Sequence, residues 1–307
     1  MHVAICIVGF RNADDIAACL DALGRSTHPD FEVVICENGG RAAYDVLRDR
    51  LPERLSGGQG VRIQLAPGNL GYAGGVNACM HETPGADAWW VLNPDTVPDP
   101  DALSELVGAL EEGKHDLVGG IIYDEHGRVG SYGGRWRKWL ARAESIGLGR
   151  AVSDPVDRGT VERDLGYISG CSMLVGRRFV ERTGLMREDY FLYGEEVEWN
   201  LRGQQAGMRL GFAPAARVFH KQGTTTGAGA AIRERKKLPI YLDERNKMLL
   251  TRDLFPARLP VAAGAAMLLI LLRFGRRGAW RQLGYAVQGW GAGLLNRRGV
   301  PGWLAQD

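Results

Sequence analysis

Three carboxylates crowd a four-residue stretch of this chain, Glu195, Glu196 and Glu198, directly after Tyr190-Phe191-Leu192-Tyr193-Gly194. The spacing over residues 195–206 is helical, so Glu195 and Glu198 share a face and Glu196 points elsewhere. The helix dipole favours acids at a helix start, which accounts for them without any chemistry. A carboxylate there that faces a cleft can also serve as a general base, its proton affinity tuned by the other two. Asp95 closes Leu92-Asn93-Pro94-Asp95 after an apolar run. Carboxylate oxygens suit Mg²⁺ or Mn²⁺ held jointly with phosphate oxygens, while Asn-Pro-Asp is equally a turn or the cap of the next helix. His220 follows the apolar Val218-Phe219 and precedes Lys221-Gln222-Gly223-Thr224. From there it could reach a metal or a diphosphate, although a lone histidine is more often structural.

A fourth segment is rich in glycine: Gly68-Asn69-Leu70-Gly71-Tyr72-Ala73-Gly74-Gly75-Val76-Asn77. Glycines let a backbone approach a ligand closely, and a helix starting there offers unpaired N–H groups. No Gly-Lys-Ser/Thr follows, so it is not a Walker loop, and the first strand leads into Gly9-Phe10-Arg11 rather than GxGxxG. Both absences argue against a nucleotidyltransferase or a dehydrogenase on a similar sheet. A plain loop with a glycine-rich helix start remains open.

Apolar runs at residues 3–8, 31–36, 61–65, 89–92 and 117–122 alternate with helical patterns at 14–23, 42–51, 74–80 and 102–111. Such alternation predicts an α/β domain whose central sheet is mostly parallel and flanked by helices. Ligands bind beyond the carboxyl ends of strands in such sheets. Glu37-Asn38-Gly39, residues 67–77 and residues 93–96 all fall at those ends. Further on, residues 123–129 form a hairpin tip and 136–164 a long variable connection. A strand over 167–175 has a turn at Ser169-Gly170, a short strand covers 209–212, residues 224–231 are expected to be mobile, and 241–254 are helical.

With 307 residues, 45% hydrophobic content and a net charge of +2, a sizeable core is expected and nucleic-acid binding is not. The cysteines, Cys6, Cys19, Cys36, Cys79 and Cys171, form no CxxC pair and point to a reducing compartment. With no signal peptide evident, the expected location is cytoplasmic. From Phe255 to Gln306 there is no acid, but there are Arg258, Arg273, Arg276, Arg277, Arg281, Arg297 and Arg298. Within it, residues 261–272 are apolar yet shorter than the roughly 20 residues a bilayer span needs. Two readings stand: a helix on the inner face of the cytoplasmic membrane, favoured by the arginines and by Trp280, Trp290 and Trp303, or a helix packed on the domain. The expected organisation is a catalytic domain over 1–255, with its nucleotide part at 1–122 and its acceptor part at 123–255, followed by a basic helical extension at 256–307.

Taken in order, these segments resemble the family 2 glycosyltransferases, above all the rhamnosyltransferase-like branch. Leu92-Asn93-Pro94-Asp95 is similar to that branch's version of the DxD motif, and residues 69–77 to its NxGfagGxN loop. Ser169-Gly170-Cys171-Ser172-Met173-Leu174 is similar to its SGaxml strand, and residues 191–199 to FlyxEDvDl. His220 through Thr224 matches HxxGxS/T, Tyr241 with Arg245-Asn246 matches yyxxRN, and residues 286–299 resemble its GlxxGxxxrrG segment. The resemblance covers nearly the whole chain. It implies a GT-A fold and an inverting transfer from a nucleotide sugar, a dTDP- or UDP-sugar with L-rhamnose favoured, to a glycan or lipid-linked acceptor. A small-molecule aglycone and an inactive nucleotide-sugar-binding partner are the alternatives. Asp95 and His220 would hold the divalent metal. Glu37, Asn38, Asn69, Gly71, Gly75, Asn77, Asn93 and Asp95 would contact the donor. Glu196 would be the base, with Glu195 or Glu198 positioning it or the acceptor. At Glu37, Glu196 and Glu198 the family usually has Asp, so each carboxylate here carries one extra methylene.

Overall fold

The computed structural model describes residues 1–221 and 231–304. Its first part is the expected alternation: β1 (Val3–Gly9), α1 (Ala13–Leu23), β2 (Phe31–Glu37), α2 (Arg41–Arg50), β3 (Val61–Leu65), α3 (Gly71–Glu82) and β4 (Ala88–Leu92). Then follow β5 (Thr96–Pro98), α4 (Ala102–Glu111), β6 (Leu117–Tyr123), β7 (Val129–Ser131), β8 (Gly134–Arg137), β9 (Arg142–Ser145), α5 (Arg158–Asp164), β10 (Ser172–Gly176), α6 (Arg177–Thr183), α7 (Glu195–Gln205), β11 (Leu210–His220), α8 (Lys237–Leu254), α9 (Leu259–Phe274) and α10 (Trp280–Leu294). The strands β1, β2 and β4 are buried from end to end save Glu32, because helices cover both faces of the sheet. One core lies on the side of α1 and α4 and a second on the side of α3, where the buried Cys6, Cys36 and Cys79 serve as small hydrophobes.

The sheet runs β3-β2-β1-β4-β10-β6-β11-β5, with β7 paired to β6. Parallel pairing holds from β3 through β4 and between β6 and β11. Between these blocks β10 runs antiparallel to both neighbours, so the sheet is mixed rather than parallel throughout. This reversal brings the start of β10 to the carboxyl end of β4, with Ser172 opposite Leu92. The long β11 breaks register between Phe212 and Arg217, then pairs its His220 with Thr96 of β5. Asp95 and His220, distant in sequence, thereby meet at one edge.

Three sequence expectations change here. The strand predicted over 167–175 is a strand only from Ser172, because residues 167–171 turn away from the sheet toward α7. The short strand at 209–212 is the first part of β11; Pro214 and the register shift hid the remainder. The connection at 136–164 holds the β8–β9 hairpin and α5, its alternation masked by arginines that pair across or near it, as Arg137 does with Glu144. The segment at 224–231 lies, except for Ala231, outside the described residues, as do Gln222, Gly223 and Thr224.

The C-terminal helices pack onto α8. Glycine makes this possible: a Cβ on Gly289 would run into the Tyr241 carbonyl, and one on Gly293 into the Arg245 carbonyl. The helix α9 is longer than its apolar run. With short 3-10 turns at both ends it forms a helical stretch Pro256–Arg277 of 22 residues with mean hydropathy 1.7. By length and composition alone that is enough to cross a bilayer, which overturns the expectation that it is too short. Its Ala262, Ala263 and Ala266 pack with Met248 and Leu249 of α8, and its Ile270 and Phe274 with Ala286 of α10. Two of the three tryptophans face inward as well: Trp290 Nε1 donates to the Ala263 carbonyl at 3.1 Å, and Trp303 stacks edge-on to Tyr241. Trp280 alone of the three is solvent-exposed.

Gly289→Ala and Gly293→Ala should each lower the urea unfolding midpoint, by about 1–3 kcal/mol in stability, through overpacking against fixed backbone. At Gly284 and Gly291 an added Cβ meets nothing within 4 Å. Alanine there should leave the midpoint in place or raise it, by up to ~1 kcal/mol from helix propensity. Equal effects at all four positions would contradict the close approach of α10 to α8.

Candidate active site

Three loops and one helix start converge at the carboxyl end of the sheet. At its centre is the Tyr72 hydroxyl, 2.9 Å from Asn93 Oδ1 and 2.7 Å from the Gly170 carbonyl. Burial pushes this phenol's pKa far up, with Cys171, Glu195, Glu196 and Asp95 adding to it, so it stays a protonated donor. Gly170 in turn lies against Glu196, and the adjacent Cys171 against His220, which pairs with Asp95.

On one side lie Asp95 and His220. Asp95 Oδ1 is 3.2 Å from His220 Nε2, and the Asp95 carbonyl accepts the Lys221 amide at 3.1 Å. Cys171 Sγ is 3.5 Å from the other ring nitrogen. Burial disfavours charge on this imidazole, but its bonds to Asp95 and Cys171 outweigh that and lift its pKa to about 10. His220 is thus an imidazolium paired to Asp95. Among the described residues no three His, Cys, Asp or Glu side chains gather into a metal site. With His220 deprotonated, it and Asp95 would offer one nitrogen and one oxygen to a cation that also binds phosphate oxygens. Asn93 holds the turn: its amide donates to the Cys171 carbonyl and its own carbonyl accepts the Thr96 hydroxyl at 2.6 Å.

On a second side the glycine-rich loop meets the end of β2. Asn38 Nδ2 donates to the Gly71 carbonyl at 2.8 Å, and Asn69 Oδ1 accepts the Gly71 amide at 3.1 Å. Gly71 has φ +72°, and any side chain there would strike the Phe191 carbonyl. That carbonyl accepts the next amide, from Tyr72, at 2.8 Å. Asn69 is exposed and free to face a ligand. Gly75 and Asn77, expected at the donor, do other work. Gly75 lets α3 lie against Val8 of β1, where a Cβ would come within 2.6 Å of its methyl. Asn77 is buried and bonds to Met186 and Glu188 through both ends of its amide. Glu37 is also fully buried. Its longer arm lets Oε1 turn back onto the amides of Gly39 and Arg11, at 2.6 and 3.2 Å, while Oε2 is buried with no hydrogen-bond partner. It shapes the loop that Asn38 begins.

The acids of α7 separate as the helical spacing predicts, with one correction. Glu198 is buried and forked by Arg202, Oε1 to Nε at 2.8 Å and Oε2 to Nη2 at 3.1 Å. Arg202 also donates to the carbonyls of Thr183 and Leu185, so the pair braces α6 against α7 and does not face the cleft. Glu196 is half-buried beside Gly170, where a Cβ would sit 3.3 Å from its Cγ, and its Oε2 accepts the Gly194 amide at 3.1 Å. Glu195 is buried with Oε2 unpartnered. Burial raises the pKa of both, and Glu196 raises that of Glu195 further. A carboxylate held above its ordinary range is the stronger base for an acceptor hydroxyl.

Two buried residues hold this helix start, and neither was singled out for the site from sequence. Asn246 Nδ2 lies within hydrogen-bond range of the carbonyls of Tyr190, Leu192 and Tyr193, at 3.0, 2.9 and 2.6 Å. Arg245 donates to the Tyr190 carbonyl at 2.7 Å and to the Gly299 carbonyl at 2.6 Å. The segment they grip has positive φ at Phe191, Tyr193 and Gly194, a strained path that needs fixed partners. Asn200 ties the other flank, accepting the Ile168 amide at 2.9 Å. The only sequence signal was the resemblance of Arg245-Asn246 to a paired motif, with nothing to show what it grips.

Residues 4–181, more than half of the chain, match the family described as Glycosyl transferase family 2. Over 255 residues the chain is 24% identical to the N-acetylglucosaminyl-diphospho-decaprenol L-rhamnosyltransferase of Mycobacterium tuberculosis, covering 74% of this chain and 79% of that one. It is also 24% identical to the low-salt glycan biosynthesis hexosyltransferase Agl10 of Haloferax volcanii, over 61% of this chain and 59% of that one. Among solved structures, GalNAc-T7 with UDP, GalNAc and Mn²⁺ superposes with a TM-score of 0.62 at 14% identity, over 82% of this chain and only 48% of that one. The mannosyltransferase PcManGT of Pyrobaculum calidifontis, in complex with GDP-Man and Mn²⁺, gives 0.56 at 14% identity, over 96% and 88%. The fold is GT-A, as expected.

Glu195 yields a prediction about stability. Its folded pKa lies above its unfolded one, so its neutral form favours the fold below the ordinary carboxylate range, and that contribution is lost as pH rises through the folded pKa. Glu195→Gln should therefore melt about 2–4 °C above the parent at mildly alkaline pH. The gap should close toward pH 4. A gap independent of pH would show that folding does not raise the pKa of Glu195.

Proposed function

This chain belongs to glycosyl transferase family 2, and we propose that it moves a hexose, with inversion, from a dTDP- or UDP-sugar to a hydroxyl of a lipid-linked glycan. The observation that carries this is the placement of the Asp95–His220 pair and the half-buried Glu196 around one tyrosine, Tyr72, at the carboxyl end of the sheet. L-Rhamnose is the favoured sugar, because the Mycobacterium tuberculosis relative is named for its transfer to a diphospho-decaprenol-linked sugar.

Inverting transfer is one displacement. The acceptor oxygen forms a bond to the anomeric carbon, its proton passes to a carboxylate, and the bond from that carbon to the diphosphate breaks with its electrons leaving on phosphate oxygen. Glu196 takes the proton. Its exposure reaches the cleft, its Oε2 is oriented by the Gly194 amide, and its raised pKa suits it to an alcohol. Glu196 in turn holds the proton on buried Glu195, so the two carboxyls titrate as a pair. Asn69 and the Asn38–Gly71 bond form the shelf for the nucleoside. A Mg²⁺ or Mn²⁺ ion held by Asp95 and His220 would neutralise charge on the departing diphosphate. His220 would hold the ion in its neutral form, and Asp95 already sits against the nitrogen concerned.

Glu196→Gln should cut transfer by about 10²–10⁴-fold, measured as sugar incorporation, with donor-induced thermal shift unchanged. Transfer at the parental rate would move the base to Glu195; a parent that binds donor yet transfers nothing would make the chain a binding protein. Asp95→Ala should abolish the thermal shift given by UDP or dTDP with Mn²⁺, and EDTA should abolish transfer. Full transfer in chelator would refute the metal assignment.

A further inference from the structure

Away from Tyr72, a cavity of about 950 Å³ lies between the β8–β9 turn, α8 and α9. Its lining carries the cations Arg142, Lys247, Arg273, Arg276 and Arg277 against two carboxylates, Asp243 and Glu244. Lys247 already engages both acids, at 2.7 and 3.0 Å, and Arg273 stands just beyond them. Among the described residues no ion pair is recorded for Arg142, Arg276 or Arg277. Arginine is crowded on arginine here: Arg235 is held below its ordinary range by burial and by Arg273 and Arg277. A concave site with surplus guanidinium groups is built for a compact polyanion.

The rim of the cavity is apolar. Leu140, Leu269 and Leu272 line it, and beyond Leu272 the outward side of α9 carries Leu268 and Leu271, 58% and 46% exposed. Single exposed leucines need no explanation, but a contiguous strip does. Trp139 lies at the same hairpin turn, exposed, with Arg258 stacked on its ring at 4.9 Å. A cationic hollow that opens onto a leucine strip matches an amphiphile with a charged head and a long hydrocarbon tail. A flat membrane surface would account for the outer leucines, but not for a hollow that gathers Arg142, Arg273, Arg276 and Arg277 around Lys247.

The hollow is tied to the active site through α8, where its Asp243 and Glu244 stand within one turn of Asn246. On the same helix Asn246 grips the loop that carries Glu196. We propose that this cavity binds the diphosphate of a prenyl-diphosphate-linked acceptor, with the prenyl chain leaving along Leu268, Leu271 and Leu272 and the attached sugar directed toward Glu196. The assignment rests on the glycosyltransferase reading above, and it adds a site, a head group and a path for the tail.

Farnesyl diphosphate, a short soluble prenyl diphosphate, tests this on the full chain by titration calorimetry with saturating UDP and Mn²⁺ present. Binding is expected without competition from UDP. It should weaken at least ~10-fold in R276E/R277E, whose UDP-induced thermal shift should match the parent's. L268S/L271S should weaken farnesyl diphosphate while leaving inorganic diphosphate unchanged. Binding indifferent to both variants overturns the site, as does displacement by UDP. Sedimentation with phosphatidylglycerol vesicles but no farnesyl diphosphate binding also overturns it, in favour of a plain membrane surface. If UDP binds and farnesyl diphosphate does not, only this assignment falls; if neither binds, the glycosyltransferase reading falls with it.

Discussion

Everything at the active site depends on four buried carbonyls that no secondary structure satisfies. The chain from Tyr190 to Gly194 passes through three residues of positive φ, and its carbonyls are met by side chains and by the Tyr72 amide. Unpaired, each such group costs about 1–3 kcal/mol. The amide of Asn246 is within reach of three of them, the guanidinium of Arg245 joins it on one, and the Tyr72 amide takes the Phe191 carbonyl. These few bonds fix where α7 starts and so where Glu195 and Glu196 stand. They also fix the glycine loop, because Gly71 must be bare for Phe191 to come so close. The glycine loop and the acid pair are thus two ends of one backbone contact.

The electrostatics run against stability and toward function. Glu195 is buried without a partner for one oxygen, beside a second raised carboxylate. Structural acids in the same helix look different: Glu198 is fully forked by Arg202. The contrast within a single turn separates a carboxylate satisfied by an arginine from the two proposed for proton transfer.

Much of the fold was legible because apolar runs over residues 3–122 have the two periods that strands and helices impose. The rest needed tertiary information. β10 reads as a strand but not as an antiparallel one, since direction is set by which edge remains open, and no residue from Ser172 to Gly176 encodes it. The site was legible in outline for a similar reason. Asp95, His220 and the α7 acids are chemically conspicuous wherever they occur. Gly75, Asn77 and Glu198 were equally conspicuous and proved to be packing residues, because a residue type does not reveal which way it faces. Asn246, Asn200 and Tyr72 were overlooked as site residues because their work is to bind backbone, which leaves no pattern in the residues they hold. The tryptophans near the C-terminus misled in the opposite sense: Trp290 and Trp303 are amphipathic enough for an interface and are spent inside.

The basic segment after α10 is not a loose tail. Arg298 reaches Asp253 and Asp189, the Gly299 amide meets the Asp189 carbonyl at 2.7 Å, and the Gly299 carbonyl takes a bond from Arg245 itself. The residue that grips the loop before α7 is therefore gripped in turn by residues far downstream. Chains fold as they emerge during synthesis, with earlier regions first. The nucleotide half can close while the ribosome is still at work, but the loop carrying the acids acquires its last restraint only when Arg298 and Gly299 have been made. In the life of each molecule the active site is finished late, after α8, α9 and α10 have already been made.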